Sequence, residues 1–569
     1  QKSGGAYSSM FTPDVGQLPS GTARRSSAAL LVTLLVACGG GDAPEPIETG
    51  GDFHTISGGP PGGVLVALLD GEPDDLNPIT YSSLPASQAI HLMFRSLAWR
   101  DSTLSNYRPD LATSWEVRDD SVVVLELRDD VRWHDGRPVT AEDVAFTIDR
   151  QRDPVVASPR QSDVAAVEEV TVIDGTTVEV RMRRTGAYAV NALLEVVPVP
   201  KHLLEDVEPA RFRMAPFGSN PVGNGYFRFG RWERSQQLVL ETNTERPEGR
   251  VALDRVVMRF VPDVNAALTE LLAGQGDLLK ISPEHRAQVE RSSAVRLHGA
   301  PRIRPAWIAW NTTSPPVDDV RVRQAILMAV DREAIARGLF GEVGEAAYSP
   351  LPPALREHSE DVEPLPFDRD RAAQLLDAAG WRDADGDGIR ERNGVPLRIQ
   401  VDYNSAEQLR QDVLVAMQSM LRTIGVDLVP RAFERTAWVE RLRGREFQGS
   451  SWGWGWGPGV VGPNAEAVFH TRSIPPAGAN FGGYSNPRVD ALIDQALATR
   501  DTGELQRVWR EFEQIVIDEV PYAPIYLDPE LFAVNSRFQN VEFRGIEWWE
   551  DVPFWHVPLE ARLPRDRTR

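Results

Sequence analysis

The sequence predicts a mixed α/β protein of at least two lobes, on three observations. The chain has 569 residues, and single hydrophobic cores stop growing beyond roughly 250–300 residues. From Val64 onward, stretches of alternating apolar and polar residues interleave with stretches whose apolar residues recur every third or fourth position, the signatures of strands and helices. Turn dipeptides such as Asp174-Gly175 punctuate them.

Taken in order, residues 121–128 place Val123, Leu125 and Leu127 on one face, the pattern of a half-buried strand. Thr140, with Asp143 three residues on, forms a capping box that opens a helix. Residues 170–173 and 178–182 flank Asp174-Gly175 and read as a hairpin. Val264, Leu268 and Leu271 mark a helical face that Gly274 ends. Val322, Ile326, Ala329 and Val330 mark another, entered from Pro315-Pro316 and Asp318; Leu409, Val413, Met417, Met420 and Ile424 mark a third, stopped by Gly425. These stripes are core faces, and no short internal repeat stands out.

Composition narrows the function. Hydrophobic residues make up 42% and charged residues 25%, as in ordinary soluble proteins. The formal net charge is -21, and the only lysines are Lys2, Lys201 and Lys280. Such a surface repels phosphate backbones and anionic headgroups, which argues against nucleic-acid or peripheral-membrane binding. A single cysteine, Cys38, excludes a disulfide within the chain, a multi-cysteine zinc site and a Cys-x-x-Cys redox pair. The nine histidines are scattered, with no His-Glu-x-x-His, and neither a phosphate loop nor a Gly-x-Ser-x-Gly elbow occurs. Neither a cofactor nor a catalytic set is implied.

The first residues read as an address. Arg24 and Arg25 precede an apolar run over 28–37 broken only by Thr33, followed by Leu35-Val36-Ala37-Cys38 and Gly39-Gly40-Gly41-Asp42. A basic segment, a short apolar run and small residues at the cut describe a secretory signal, and the run is too short for a bilayer core, which needs about 20 apolar residues. Leu-Val-Ala-Cys resembles the lipobox of bacterial lipoproteins, which implies lipidation of Cys38. Burying methylenes at roughly 0.8 kcal/mol each makes two or three acyl chains a lasting anchor. Residues 39–63, rich in Gly, Pro and acid, are expected to form a disordered tether.

Beyond residue 64, ordered segments resemble the extracytoplasmic solute-binding proteins of family 5, the peptide/nickel type that serves ABC importers. They include residues 69–78 (LDGEPDDLNP), 109–116 (PDLATSWE) and 127–148 (LRDDVRWHDGRPVTAEDVAFTI). Further on come 220–232 (NPVGNGYFRFGRW), 319–335 (DVRVRQAILMAVDREAI) and 480–498 (NFGGYSNPRVDALIDQALA). The resemblance implies a two-lobed periplasmic-binding-protein type II (Venus-flytrap) fold with an extra subdomain in lobe I. It also implies a hinge closure that sequesters ligand, and a division into signal peptide (1–37), tether (38–63), lobe I with its inserted subdomain (64–305), lobe II (306–524) and a return to lobe I (525–569). The function implied is that of a non-enzymatic, monomeric receptor, extracytoplasmic and lipid-anchored, that hands a peptide or similar small ligand to ABC permease and ATPase subunits.

Candidate ligand-binding residues follow. Trp452, Trp454 and Trp456 alternate with glycine where the family has a cleft loop; they read either as ligand contacts or as a strand face turned into lobe II. Relatives that bind peptides carry an aspartate soon after such a Trp-Gly pair, whereas here no carboxylate occurs until Glu466, which leaves an oligosaccharide on aromatic platforms as the alternative ligand. Asn311, after the apolar residues 307–310, reads as a ligand contact or a turn cap. Tyr81, Asn480, Phe481, Tyr484 and Arg435 complete the set. Asp383-Ala384-Asp385-Gly386-Asp387-Gly388 invites a calcium reading, but position twelve of an EF-hand loop is Gly394 here rather than glutamate; a structural turn is expected, with no metal. Trp133-His134-Asp135-Gly136 reads as a turn. The rival functions are an enzyme, which needs clustered titratable groups, and a receptor that signals or chaperones rather than feeding a transporter.

Overall fold

The computed structural model describes residues 59–100, 106–183, 185–300, 302–456, 461–543 and 547–567. Cys38, and with it the expected signal and most of the tether, lies outside them.

Lobe I is built on a seven-stranded sheet in the order Val295–Ala300, Glu530–Asn535, Leu278–Ile281, Val64–Leu69, Arg255–Phe260, Gln237–Thr242 and Phe227–Glu233. Its central strand Val64–Leu69 runs parallel to both neighbours and is buried on both faces: Leu65, Ala67 and Leu69 join one core, Val64, Val66 and Leu68 another. Period-two alternation divides the side chains, and the continuous apolar run is what a doubly covered strand requires. The C-terminal segment is locked to this strand by buried charge. Arg537 pairs with Asp277 at 2.9 Å and Asp566 at 2.6 Å, and Asp566 accepts the Val64 N–H at 2.8 Å.

A four-stranded antiparallel sheet, Ala112–Arg118, Val122–Leu127, Thr177–Met182 and Val167–Val172, forms the extra layer and shares the first core. The hairpin predicted around Asp174-Gly175 is present. Strand Val122–Leu127 is more buried than its alternation predicts, since Val122 and Val124 are covered as well. Its two neighbours explain this: Val124 lies opposite Glu116 and Glu179, and Val122 opposite Arg118 and Arg181, long side chains whose stems cover apolar neighbours. The capping box opens helix Ala141–Arg152, with Asp143 accepting the Thr140 N–H at 2.9 Å. The same carboxylate accepts the Trp133 indole N–H at 3.2 Å, so the Trp133–Gly136 turn is pinned to the helix start.

Lobe II carries a five-stranded sheet in the order Asp427–Phe433, Arg398–Asn404, Gly449–Gly453, Pro305–Trp310 and Tyr522–Leu527. Ala306, Ile308 and Trp310 face the core that holds helices Val320–Ala329 and Gln408–Arg422, whereas Trp307 and Ala309 face the core of helices Pro487–Ala498 and Thr502–Glu519. The chain passes from the first sheet to the second between Ala300 and Pro305 and returns between Leu527 and Glu530. Residue 525, where the sequence places the return, lies inside the strand that pairs with Pro305–Trp310.

Candidate functional site

Lobe I holds a cavity of about 350 Å³. After the first strand the chain turns at Asn77, whose side-chain oxygen accepts the Ile79 N–H at 3.0 Å and whose carbonyl accepts the Tyr81 N–H at 3.1 Å. That turn presents Tyr81 to the cavity, with the Arg160 guanidinium 4.2 Å from its ring centroid. Helix Leu84–Met93 contributes His91, whose Nδ1 lies 2.8 Å from the Ser87 carbonyl. A carbonyl only accepts, so Nδ1 carries the proton and Nε2 presents a lone pair; burial depresses the pKa of the ring and keeps it neutral. Trp549 packs against His91 at 6.3 Å.

Charge surrounds these rings. Arg100 lies 3.4 Å from Glu195 and 3.9 Å from Glu550, and Glu195 accepts from the Tyr107 hydroxyl. Burial and the Glu195 charge push Tyr107 well up, opposed by Arg100 and by Arg356 of lobe II. Glu547, at the start of helix Trp548–Asp551, is pushed up to about 7. Burial is the main cause; Glu530 and Glu550 add to it while Lys280 and Arg304 oppose it. Arg304 lies on the first passage between the lobes, pairs with Glu530 at 3.8 Å, and faces Gly455 of the tryptophan segment.

That segment begins as strand Gly449–Gly453 and then leaves the sheet. It remains tied to the passage, because Trp454 N–H donates to Pro305 at 3.3 Å and Trp456 N–H to Ile303 at 3.0 Å. The three indoles share one aromatic cluster without sharing its depth. Trp452 is buried edge-on to Trp307 at 5.8 Å. Trp456 is fully buried against Phe469, with the rings 15° from parallel. Trp454 is half-buried, edge-on to Trp452.

The other predicted residues divide by how their polar groups are used. Asn311 is buried, its amide donating to the Arg445 and Phe447 carbonyls at 2.9 and 3.0 Å while its oxygen accepts from the Thr313 hydroxyl. Asn480 is fully buried and holds the backbone of Tyr484 from both sides, at 2.8 and 3.1 Å. The Tyr484 hydroxyl donates to Glu519. Phe481 is half-buried against Trp452 at 5.5 Å. Arg435 is the exposed first residue of helix Arg435–Gly444. Tyr81 therefore faces the cavity, and Trp454 and Phe481 keep accessible ring surface. Residues 457–460, which follow the tryptophans, lie outside the described residues.

The turn at Trp133–Gly136 holds no reactive pair: burial depresses His134 to about 4, and Asp135 is engaged by His202 at 2.7 Å. In the Asp383 loop, carboxylate oxygens of Asp383, Asp385, Asp387 and Glu391 lie within 4.8 Å of one another and accept the loop's own N–H groups. The cavity residues His91, Gln151, Glu547 and Trp549 are absent from the sequence prediction; the Trp548-Trp549-Glu550 run is visible in the sequence, but nothing local links it to Tyr81.

The family model described as bacterial extracellular solute-binding proteins, family 5 middle, matches residues 106–474. The oligopeptide-binding protein AppA of Bacillus subtilis is 27% identical over 549 residues, covering 92% of this chain and 99% of its own. Its structure in complex with a nonapeptide superposes with a TM-score of 0.67 at 26% identity, covering 88% of this chain and 99% of that one. The ABC transporter substrate-binding protein CtaP of Listeria monocytogenes superposes with a TM-score of 0.76 at 25% identity, covering 87% and 99%. Among the described residues no helix is long and apolar enough to cross a membrane. The chain belongs to the bacterial extracellular solute-binding proteins of family 5.

Proposed function

We propose that this protein is an extracytoplasmic lipoprotein, anchored through Cys38, that captures a peptide or peptide-like solute between its lobes and delivers it to an ABC importer. The observation that carries the reading is the lobe I cavity of about 350 Å³, whose Glu547 feels the charge of Arg304 on the first passage between lobes. Its walls combine rings with charged and polar groups, and its volume falls in the range of about 300–1,000 Å³ that ligand sites occupy. Trp454, whose N–H is held by Pro305, and Arg304, which faces Gly455, stand at that passage. The match to AppA along nearly its whole length supports a peptide as the class of ligand. The chain makes and breaks no covalent bond in this role. Closure about the two passages supplies affinity by burying the ligand, and ligand release accompanies reopening. An oligosaccharide needs broad aromatic platforms, and two of the three indoles are buried in the lobe II core.

Native mass spectrometry of the purified protein tests the reading, with a co-purifying peptide mass as the expected result. Absence of any ligand, together with no thermal shift across peptide and oligosaccharide panels, would remove it.

A further inference from the structure

The lobe I cavity has a charge and hydrogen-bonding character that a generic peptide site does not require. Four carboxylates line it, Asp163, Glu195, Glu547 and Glu550, against two guanidiniums, Arg100 and Arg160. Arg100 is shared between Glu195 and Glu550. The two cations whose charge acts on Glu547, Lys280 and Arg304, are both drawn to Glu530. Among the described residues Glu547 has no ion-pair partner.

A second observation is independent of that charge. Gln151 lines the cavity and is 4% exposed, yet its carbonyl oxygen Oε1 is buried without a hydrogen-bond donor. An unpaired buried acceptor is costly, so it marks a place where a donor is due. His91 adds a second acceptor, because its neutral ring donates from Nδ1 to Ser87 and leaves Nε2 with a lone pair. Trp549 supplies a further ring, and cations are attracted to such π-faces, as Arg160 is to Tyr81. Excess negative charge, donor-hungry acceptors and aromatic faces together select one kind of group.

We propose that this cavity recognises a cation carried by the ligand, an ammonium or guanidinium group, with Glu547 supplying the opposite charge and Gln151 Oε1 and His91 Nε2 the hydrogen-bond acceptors. The proposal rests on the peptide-capture reading and narrows it to cationic solutes. The elevated proton affinity of Glu547 is the state of a carboxyl awaiting a positive partner, since a cation brought beside it favours the ionised form. The cavity is large enough for one long side chain or a terminal residue, and the remainder of a peptide would extend toward Trp454 and the passage.

Isothermal titration calorimetry of the full chain with Ala-Arg-Ala and with Ala-citrulline-Ala tests this, because citrulline keeps the shape of arginine without its charge. A charge-assisted hydrogen bond is worth about 1.5–3 kcal/mol, so the arginine peptide is expected to bind about tenfold or more tightly. Glu547→Gln, close to isosteric, is expected to narrow the ratio to about threefold or less. Equal binding of both peptides by the unaltered protein would overturn the cation proposal while leaving peptide capture intact. If neither peptide binds, peptide capture is judged by the co-purifying ligand and the thermal-shift panels, and arginine amide against citrulline amide decides the cavity: preference for the charged amide supports cation recognition, and no preference ends it.

Discussion

The hydroxyl of Tyr188, on the lobe I helix Ala187–Leu194, donates a 3.0 Å hydrogen bond to Glu357 of lobe II and accepts one of 2.8 Å from the Trp509 indole. All three side chains are buried, so the lobes are joined away from the strand passages by a polar contact sealed from water. Tyr188→Phe leaves Glu357 with Arg356 at 3.5 Å and strips Trp509 of its acceptor. Leaving buried polar groups unpaired costs about 1–3 kcal/mol. The expected outcome is a lowered melting temperature and a larger radius of gyration in solution scattering, as the lobes part more often.

The tryptophans predict separable effects. Trp456→Ala removes a fully buried ring packed on Phe469 and is expected to cost about 3–5 kcal/mol in denaturant unfolding. Trp454→Ala removes a half-buried ring at the cluster edge. It is expected to change stability far less and to weaken binding of whatever peptide co-purifies.

Two groups set opposed pH slopes. Burial holds Glu547 up to about 7 against its ordinary 4.5, so between those values the folded chain keeps a proton that the unfolded chain has lost, and stability falls as pH rises. Burial holds His134 down to about 4 against 6.5, so across that window the unfolded chain binds the extra proton and stability rises with pH. Each effect is on the order of 3 kcal/mol when fully developed. Glu547→Gln is expected to steepen the gain in stability between pH 4.5 and 6.5, and His134→Gln to flatten or reverse it, as read by chemical denaturation at a series of pH values.

Cys38→Ser is expected to release the protein from membranes. Phase partition in Triton X-114 checks it: the unaltered protein enters the detergent phase and the variant stays aqueous, because removing the thiol removes the only cysteine that can carry the acyl chains.

Local pattern carried much of the fold. The capping box at Thr140, the hairpin at Asp174-Gly175 and the helices over Val264–Leu272 and Gln408–Arg422 stand where spacing and turn chemistry put them, because caps, turns and amphipathic faces are settled within a few residues. The half-buried reading of 121–128 missed Val122 and Val124, whose cover comes from neighbouring strands rather than from their own alternation.

By itself the sequence determined an acidic α/β chain of at least two lobes, with one cysteine in a lipobox-like setting and tryptophans alternating with glycine over residues 452–457. These follow from composition and short-range pattern. Only the tertiary structure decided the site. Tyr81 and Trp549 lie almost at opposite ends of the described chain, yet they line one cavity because Glu530–Asn535 returns to the first sheet and Arg537 clamps the C-terminal segment onto Asp277 and Asp566. The same packing spent the amides of Asn311 and Asn480 on backbone and left the Gln151 oxygen unpaired. Whether a polar group is used or free depends on which distant elements arrive beside it, and no local pattern encodes that.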